Sequence, residues 1–508
     1  MPAPSIPPRP ARFADLVGVA ACSTAAVAGL VVFRGAIGYF FAQDDFLGLA
    51  RASGLAPRLT GPWRFLSHQA VFDCMLPLAG LHAGAYHAVS LLVHVACAAL
   101  LAALLMRWLS IPAALMGAVF FAAHPTSFDA VYWFSAIGDS LALLFALIAL
   151  LLALRSGRSR WLALPACALS LLAKESTVAL PLIAALAMRF DRRRRGRPAP
   201  PMARLTLGLA AIALADLVAF AVGNAFGVRE GLATAAPYAF GIGAHIGANL
   251  LTYLGWSATF LRPFVLGFND AVDPIVYPWA FGVLVLWSIG LASRRMRRAG
   301  WVVGGAMWLA FLVPVLGLRN HTYHYYLYAP LAGAAWCVAA VMERLLPGGR
   351  PGVAIAGAAA ALLTLNGALT VRRIETAPFV LAELRASSIV DRSRIASHVG
   401  QSLTAARLPP GVTLLFWSPI ASSLGPSGES LAEPAPNETY WERNVRDALV
   451  DGLAVRVMFP QVRQVRFVRA FAPAPADWRY AVYRPDGRLG VATPTALDSI
   501  IRSAEASH

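Results

Sequence analysis

Apolar residues fall in runs separated by short polar breaks, at 15–41, 86–106, 111–123, 131–154, 161–174, 176–190, 203–223, 277–293, 300–318, 326–342 and 352–370. Runs of this kind read as helices apolar on every side, and about twenty such residues cross roughly 30 Å of hydrocarbon. Pro112, Pro165 and Pro181 stand near run ends, where a missing N–H costs least. A twelfth stretch, 241–268, is apolar but carries His245, Asn249, Trp256 and Arg262.

The polar breaks alternate in charge. Arg9 and Arg12 precede the first run; Arg155, Arg158 and Arg160 divide two others; Asp191 and the arginines 192–195 and 197 divide two more. Arg294, Arg295, Arg297 and Arg298 follow another. Basic loops stay in the cytoplasm, so placing all four there fixes the remaining loops. Residues 42–85, 124–130, the Lys174-Glu175 turn, 319–325 and everything beyond 371 then lie on the opposite side. In that scheme 241–268 is re-entrant or interfacial, and eleven crossings result. The expected fold is an α-helical polytopic membrane protein of about eleven transmembrane helices with a small C-terminal α/β extramembrane domain.

That domain, 371–508, follows a membrane domain of 1–370 whose first outer loop is 42–85. Past 371, Gly, Pro and charge rise, and no window could span a bilayer. Val412–Trp417, Leu453–Phe459, Val462–Val468 and Arg479–Tyr483 read as strands. Pro485-Asp486-Gly487 suggests a hairpin, 376–406 and 440–451 read as helices, and Ala432–Pro436 as a loop.

Composition removes several function classes. Of 508 residues 58% are hydrophobic and 14% charged, more apolar surface than a soluble domain can bury. The net charge of +17 sits in short loops between apolar runs, which favours anionic lipid over nucleic acid as partner. Five cysteines without a CxxC indicate neither a metal cage nor a disulfide framework. Val19-Ala20-Ala21-Cys22 imitates a lipoprotein cleavage site, but Asp15 interrupts the stretch before it and apolarity continues to Phe41; an uncleaved first span is expected.

Candidate chemistry gathers on the expected outer face in four groups. The first loop holds Asp44, Asp45, Arg51, Arg58, Arg64, His68, Asp73 and His82. An aspartate there can take a proton from an acceptor hydroxyl or amine, or simply cap the helix beginning at Phe46; the residues alone leave both open. His87, Ser90 and His94 share a helix face, where interhelical hydrogen bonding is the plainer reading than metal binding. His124-Pro125 ends one run, Asp129 follows, and Asp139 is costly within a span unless it faces a polar cavity. Lys174-Glu175 is a turn or a phosphate-binding step, with Arg319, His321, His324 and Tyr323, Tyr325, Tyr326 and Tyr328 as its wall or as an interfacial belt. No Walker loop, dinucleotide fingerprint, HExxH or GxSxG is present.

Five strings together resemble the C-type glycosyltransferase superfamily (GT-C), in particular protein O-mannosyltransferase-like membrane proteins and their tetratricopeptide-bearing relatives. They are Gln43-Asp44-Asp45-Phe46; Tyr86-His87 through Ser90 to His94; His124-Pro125 through Tyr132-Trp133 to Asp139; Leu172-Ala173-Lys174-Glu175 with Pro181; and Tyr326-Leu327-Tyr328-Ala329-Pro330. The resemblance covers about 40–330 and is silent on 371–508; the tetratricopeptide tail is absent.

It implies a sugar transferase in the bacterial inner membrane, using a polyprenyl-phosphate sugar donor from the non-cytoplasmic side and a cell-envelope protein, lipid or polysaccharide as acceptor. It gives the acidic role, base or metal ligand, to Asp44 and Asp45, with Asp45 preferred, and leaves a divalent cation open as cofactor. Lys174 would meet the donor phosphate, supported by Glu175, and His124, Asp129 and Asp139 would line the cavity. Arg64, His68, His94, Arg319, His321, His324 and Tyr326 complete the expected substrate contacts. The chain departs from its relatives at Ser90 (usually Asn), Gly138 (often Arg) and His324-Tyr325 (Glu-Arg), so Arg64, Arg319, His321 or His324 must supply the missing cation. Two other readings are a catalytically degenerate member that binds or moves a lipid-linked glycan, and a secondary transporter, against which the lack of an inverted repeat speaks.

Overall fold

The computed structural model describes residues 11–59, 61–195, 202–225, 239–258, 276–319, 322–376, 388–417, 440–468, 474–483 and 489–497. The apolar runs are helices: α1 (Ala11–Phe33), α2 (Asp44–Ala52), α3 (Val71–Ala79), α4 (Ala83–Met106), α5 (Ile111–Ala122), α6 (Phe128–Tyr132), α7 (Ile137–Ala153), α8 (Ala163–Ala173), α9 (Leu180–Arg195) and α10 (Met202–Ala225). After these come α11 (His245–Trp256), α12 (Val276–Ala292), α13 (Arg294–Arg298), α14 (Trp301–Leu316), α15 (Tyr328–Leu345) and α16 (Gly349–Thr376).

Every expected window carries a helix, yet among the described residues six are long and apolar enough to cross a membrane, or seven if α5 and the 47° bend into Pro125–Tyr132 form one span. Val276–Ala292 and Trp301–Leu316 are apolar but shorter. The shortfall from eleven has a local cause, since α5 breaks at His124-Pro125 and α8 at Lys174, both at polar steps. α11 has 12 residues, about 18 Å of helix, too short to cross. Residues 259–275, and with them Arg262, lie outside the described residues.

Small residues let the helices approach. A Cβ on Gly117, Gly304 or Gly333 would strike the facing backbone of α15 or α14, as expected where lipid offers little hydrophobic drive and packing must hold helices together.

The bundle has two chemically distinct ends. At one, the Arg107 guanidinium binds both Asp191 oxygens at 2.9 Å and donates to the Leu154 carbonyl (2.7 Å), while Arg194 donates to the Trp108 carbonyl (2.8 Å). Trp108 stacks on Trp336 (4.9 Å), whose indole N–H reaches Ala299. These contacts bring together the segment after α4, the end of α7, the last turns of α9 and the residue after α13. The loops expected on the other side meet at the opposite end, through Asp45–Ser135, Trp133–Ala42, Ser67–Ala173 and Lys174–Asp139.

The C-terminal part contains α17 (Ser388–Ala405), β1 (Thr413–Trp417), α18 (Tyr440–Leu449), α19 (Leu453–Met458), β2 (Gln464–Val468), β3 (Arg479–Tyr483) and β4 (Leu489–Ala492). The sheet order is β2-β1-β3-β4, with β1 parallel to both neighbours and β3 antiparallel to β4. The β3–β4 pairing matches the expected hairpin; its turn and the 432–436 loop lie outside the described residues. One expectation fails, because 453–459 is helical rather than extended. Gly452 (φ 89°) turns the chain after α18, and Ala454, Val455 and Val457 then face the domain core, a spacing that suits a short helix as well as a strand. This domain docks on the bundle's polar end: α19 packs on α2, and the Ser393 hydroxyl donates to the Phe40 carbonyl (3.0 Å) and accepts from its N–H (2.9 Å).

Candidate active site

The two aspartates have opposite surroundings. Gln43 takes φ 47°, ψ −119°, the first central position of a type II′ turn that normally falls to glycine, and Asp45 N–H closes the turn on Ala42 (3.1 Å). Backbone strain of this kind costs about 1–3 kcal/mol and concentrates at functional sites. Asp45 is fully buried; one carboxylate oxygen accepts from Ala42 N–H (2.9 Å), the other from Ser135 N–H (2.7 Å) and hydroxyl (2.8 Å). Burial pushes its pKa up to about 7 against the pull of those donors. Asp44, one residue earlier, is exposed. It sits in a recess whose protein walls raise its pKa, opposed by the charges of Arg392 and Arg51.

The second centre lies at the break after α8. Lys174 leaves the helix in an extended conformation (φ −165°, ψ 143°), and a Ser170–Thr177 hydroxyl contact (2.7 Å) staples the break. Neighbouring side chains diverge in an extended segment, so Lys174 and Glu175 take different partners. The Lys174 ammonium meets Asp139 at 2.6 Å, both nearly buried. Glu175 receives a two-pronged grip from Arg64, one arm at 2.9 Å. Arg64 itself has φ 49° and lies 4.3 Å from the Trp63 ring centre. Burial works against ionisation of Glu175, but the Arg64 charge and hydrogen bonds, with Lys174, hold its carboxyl at about 2.

His68 joins this centre. The Ser67 hydroxyl donates to the Ala173 carbonyl (2.7 Å), so the His68 Nδ1–H donates to Ser67 (2.9 Å) and Nε2 keeps its lone pair. Burial, and then the charges of Arg64, Lys174 and Arg51, depress its pKa to about 3, leaving the ring neutral. Arg51 thus faces both Asp44 and the cation group.

The wall is aromatic. The Tyr325 and Tyr326 ring centres lie 4.9 and 5.1 Å from the Lys174 ammonium. Tyr325 packs edge-on to Trp133 (5.7 Å), whose indole donates to the Ala42 carbonyl (3.2 Å), so the tyrosine wall and the aspartate turn share one strut. Gly138 explains one departure from the family strings. A Cβ there would come within 3.0 Å of the Ser67 hydroxyl and 3.1 Å of the Ala173 carbonyl, leaving no room for arginine.

The expected residues therefore divide. Asp45, Arg64, His68, Asp139, Lys174, Glu175 and Tyr326 come together, with Asp44 beside Arg51. His124 and His324 form a buried flank; the Trp256 ring lies 4.0 Å from His324, and His124 Nδ1 holds Thr126 (2.8 Å). Asp129 is largely buried at the start of α6. His94 lies deeper in the bundle, its nitrogens taken by the Tyr328 hydroxyl (2.9 Å) and the Ala122 carbonyl (3.0 Å), so it belongs to helix packing. Arg319 is exposed beside Gly241, and His321 lies outside the described residues. Ser135 and Arg392 have no signal in the sequence; a serine two residues past a tryptophan and an arginine in a separate domain become site residues only through folding. Among the described residues no three His, Cys, Asp or Glu side chains converge as metal ligands.

No family model matches the chain, and no curated protein matches it. Among solved structures, it is similar to a crystal structure of ArnT from Cupriavidus metallidurans bound to undecaprenyl phosphate, at 13% identity over 94% of each chain, with a TM-score of 0.47.

Proposed function

We propose that this chain is a GT-C-like membrane glycosyltransferase that moves a sugar from a polyprenyl-phosphate donor to a cell-envelope acceptor at the polar end of the bundle. The observation that carries the reading is the pairing of two cations, half-buried Arg64 and buried Lys174, with an accessible carboxylate on a strained turn, inside an apolar bundle. A cation pair walled by tyrosines suits a phosphate arriving from the membrane, and the nearby acid suits an acceptor.

Asp44 is the better base of the two. A base must reach its proton, and both Asp45 oxygens are already occupied by backbone and serine donors. His68, neutral down to about pH 3, is too weak a base near neutral pH and serves as wall. In the proposed step Asp44 takes the acceptor proton, the freed oxygen bonds to the anomeric carbon, and the carbon–oxygen bond to phosphate breaks. Polyprenyl phosphate leaves with the electron pair, its charge met by Arg64 and Lys174, while Glu175 and Asp139 hold those cations in place.

Purified full-length protein in detergent, given polyprenyl-phosphate sugars and a cell-envelope extract, should release polyprenyl phosphate and label the extract. Asp44→Asn should lower transfer at least about a hundredfold, the lower range for general-base removal, without changing thermal unfolding. Full transfer by that variant would overturn its role. No turnover by the parent with any donor would overturn the activity.

A further inference from the structure

A second polar cavity, of about 460 Å³, lies between Gly38–Phe40, just past α1, and one face of α17. Its volume is within the usual range for a small-ligand site, about 300–1,000 Å³. Tyr39 lines one side; Arg394, Ser397, His398 and Gln401 line the other, at the spacing of a single helix face. His398 Nε2 is covered and makes no hydrogen bond. The opposite face of α17 is committed elsewhere, with Ile395, Ala396, Val399 and Leu403 in the core.

Arginines gather near the cavity where basic residues are not expected, and Arg394 among them lines it. Arg34 is exposed at the end of α1, and the Arg372 and Arg394 side chains are 73% and 52% exposed. All three stand at the end of the bundle opposite the basic loops, against the usual bias. Their counter-charges are few: Glu375, buried against the Tyr132 hydroxyl (2.5 Å), and Asp391, 3.8 Å from Arg394. Arg394 donates to the Glu375 carbonyl (2.6 Å) and keeps part of its fork exposed. The position is also telling. α1 and α16 end here, so the cavity opens at the membrane boundary, and Arg392, which faces Asp44, precedes the cavity-lining Ser393 and Arg394.

We propose that this cavity binds the phosphate-bearing, hydroxyl-rich headgroup of a lipid and presents it to Asp44 as the acceptor. Arg394 meets the phosphate, and the serine, histidine and glutamine row meets the hydroxyls. Calling the occupant an acceptor rests on the proposed transfer; the binding does not.

Native mass spectrometry of the full-length protein, released from phosphatidylcholine nanodiscs doped with phosphatidylinositol, tests it directly. Phosphatidylinositol offers the same chemistry, a phosphate with a ring of hydroxyls. The parent should retain phosphatidylinositol over phosphatidylcholine, and Arg394→Ala should lower retention about tenfold, as for one lost charge-assisted hydrogen bond. Gln401→Glu, at an exposed position that leaves the fold alone, should lower it similarly by repelling the phosphate. Equal retention by parent and both variants, or none by the parent, overturns the site. Inositol phosphate in solution binding as well as the lipid overturns the lipid headgroup as occupant. Donor turnover in the same preparations separates the two proposals: a parent that turns over while retention ignores both variants loses the cavity, and a parent that retains lipid without turnover loses the transferase.

Discussion

Two arginine–carboxylate pairs, one at each end of the bundle, show how equal chemistry can serve different ends. Arg107–Asp191 and Arg64–Glu175 are both two-pronged and similarly shielded from solvent. Around Arg107–Asp191 the groups are used up in joining helices: Arg107 also holds Leu154, and Asp191 also holds the Trp108 indole (2.8 Å). It is a clasp. Arg64 instead sits on a left-handed backbone, stacks on Trp63, and shares its surroundings with a second ion pair and a neutral histidine. Strain, crowded like charges and aromatic walls are poor ways to hold helices together. Under the proposed transfer they keep cations ready for an anion that comes and goes.

The largest effect should come from breaking the pair most deeply buried. Lys174→Ala takes from buried Asp139 its ion-pair partner, and removing one partner of a buried pair costs about 3–5 kcal/mol. Thermal unfolding in detergent should show that loss, with transfer abolished. Lys174→Met combined with Asp139→Leu should recover most of the stability but no transfer. A double variant that regains transfer would make Lys174 a clasp like Arg107 and erase the contrast. Asp191→Ala is the complementary test. It should destabilise by about 1–3 kcal/mol, having taken from the Arg107 guanidinium and the Trp108 indole the carboxylate they share, while transfer per folded molecule stays at the parent's level. A selective fall in transfer would mean that the far end is coupled to the site.

Much of this contrast is legible in the sequence, for identifiable reasons. Apolar runs and arginine loops are one-dimensional signals, so the helices, the two ends and the grouping of Asp44, Lys174 and Tyr326 at one of them follow from spacing. The breaks were harder. His124-Pro125 and Lys174-Glu175 shorten helices that hydropathy alone extends. Hydrogen bonding between remote residues left no trace at all. The family resemblance preferred Asp45 to Asp44 for the acidic role, yet Ser135, ninety residues away, occupies one of its oxygens. The 453–459 segment misled because a short apolar run broken only by Arg456 suits a short helix as well as a strand. The sheet's parallel β1 pairings depend on a docked domain the family strings never reach.

The smallest effect concerns Asp45 alone and separates it from Asp44. Burial raises its pKa from the ordinary 3.8 to about 7, so between those values the folded protein holds a proton that the unfolded chain releases. Its contribution to stability is complete below about pH 4 and is lost as pH rises through about 7, the reverse of a salt-bridged carboxylate. Unfolding temperatures measured from pH 5 to 8 should therefore fall more steeply in the parent than in Asp45→Asn, whose side chain cannot titrate, whereas Asp44→Ala should leave the descent through pH 7 in place. Parent and Asp45→Asn curves that run parallel across that window would mean that Asp45 is ionised in the fold throughout, held so by Ala42 and Ser135, and the two aspartates would then differ in access to substrate but not in charge.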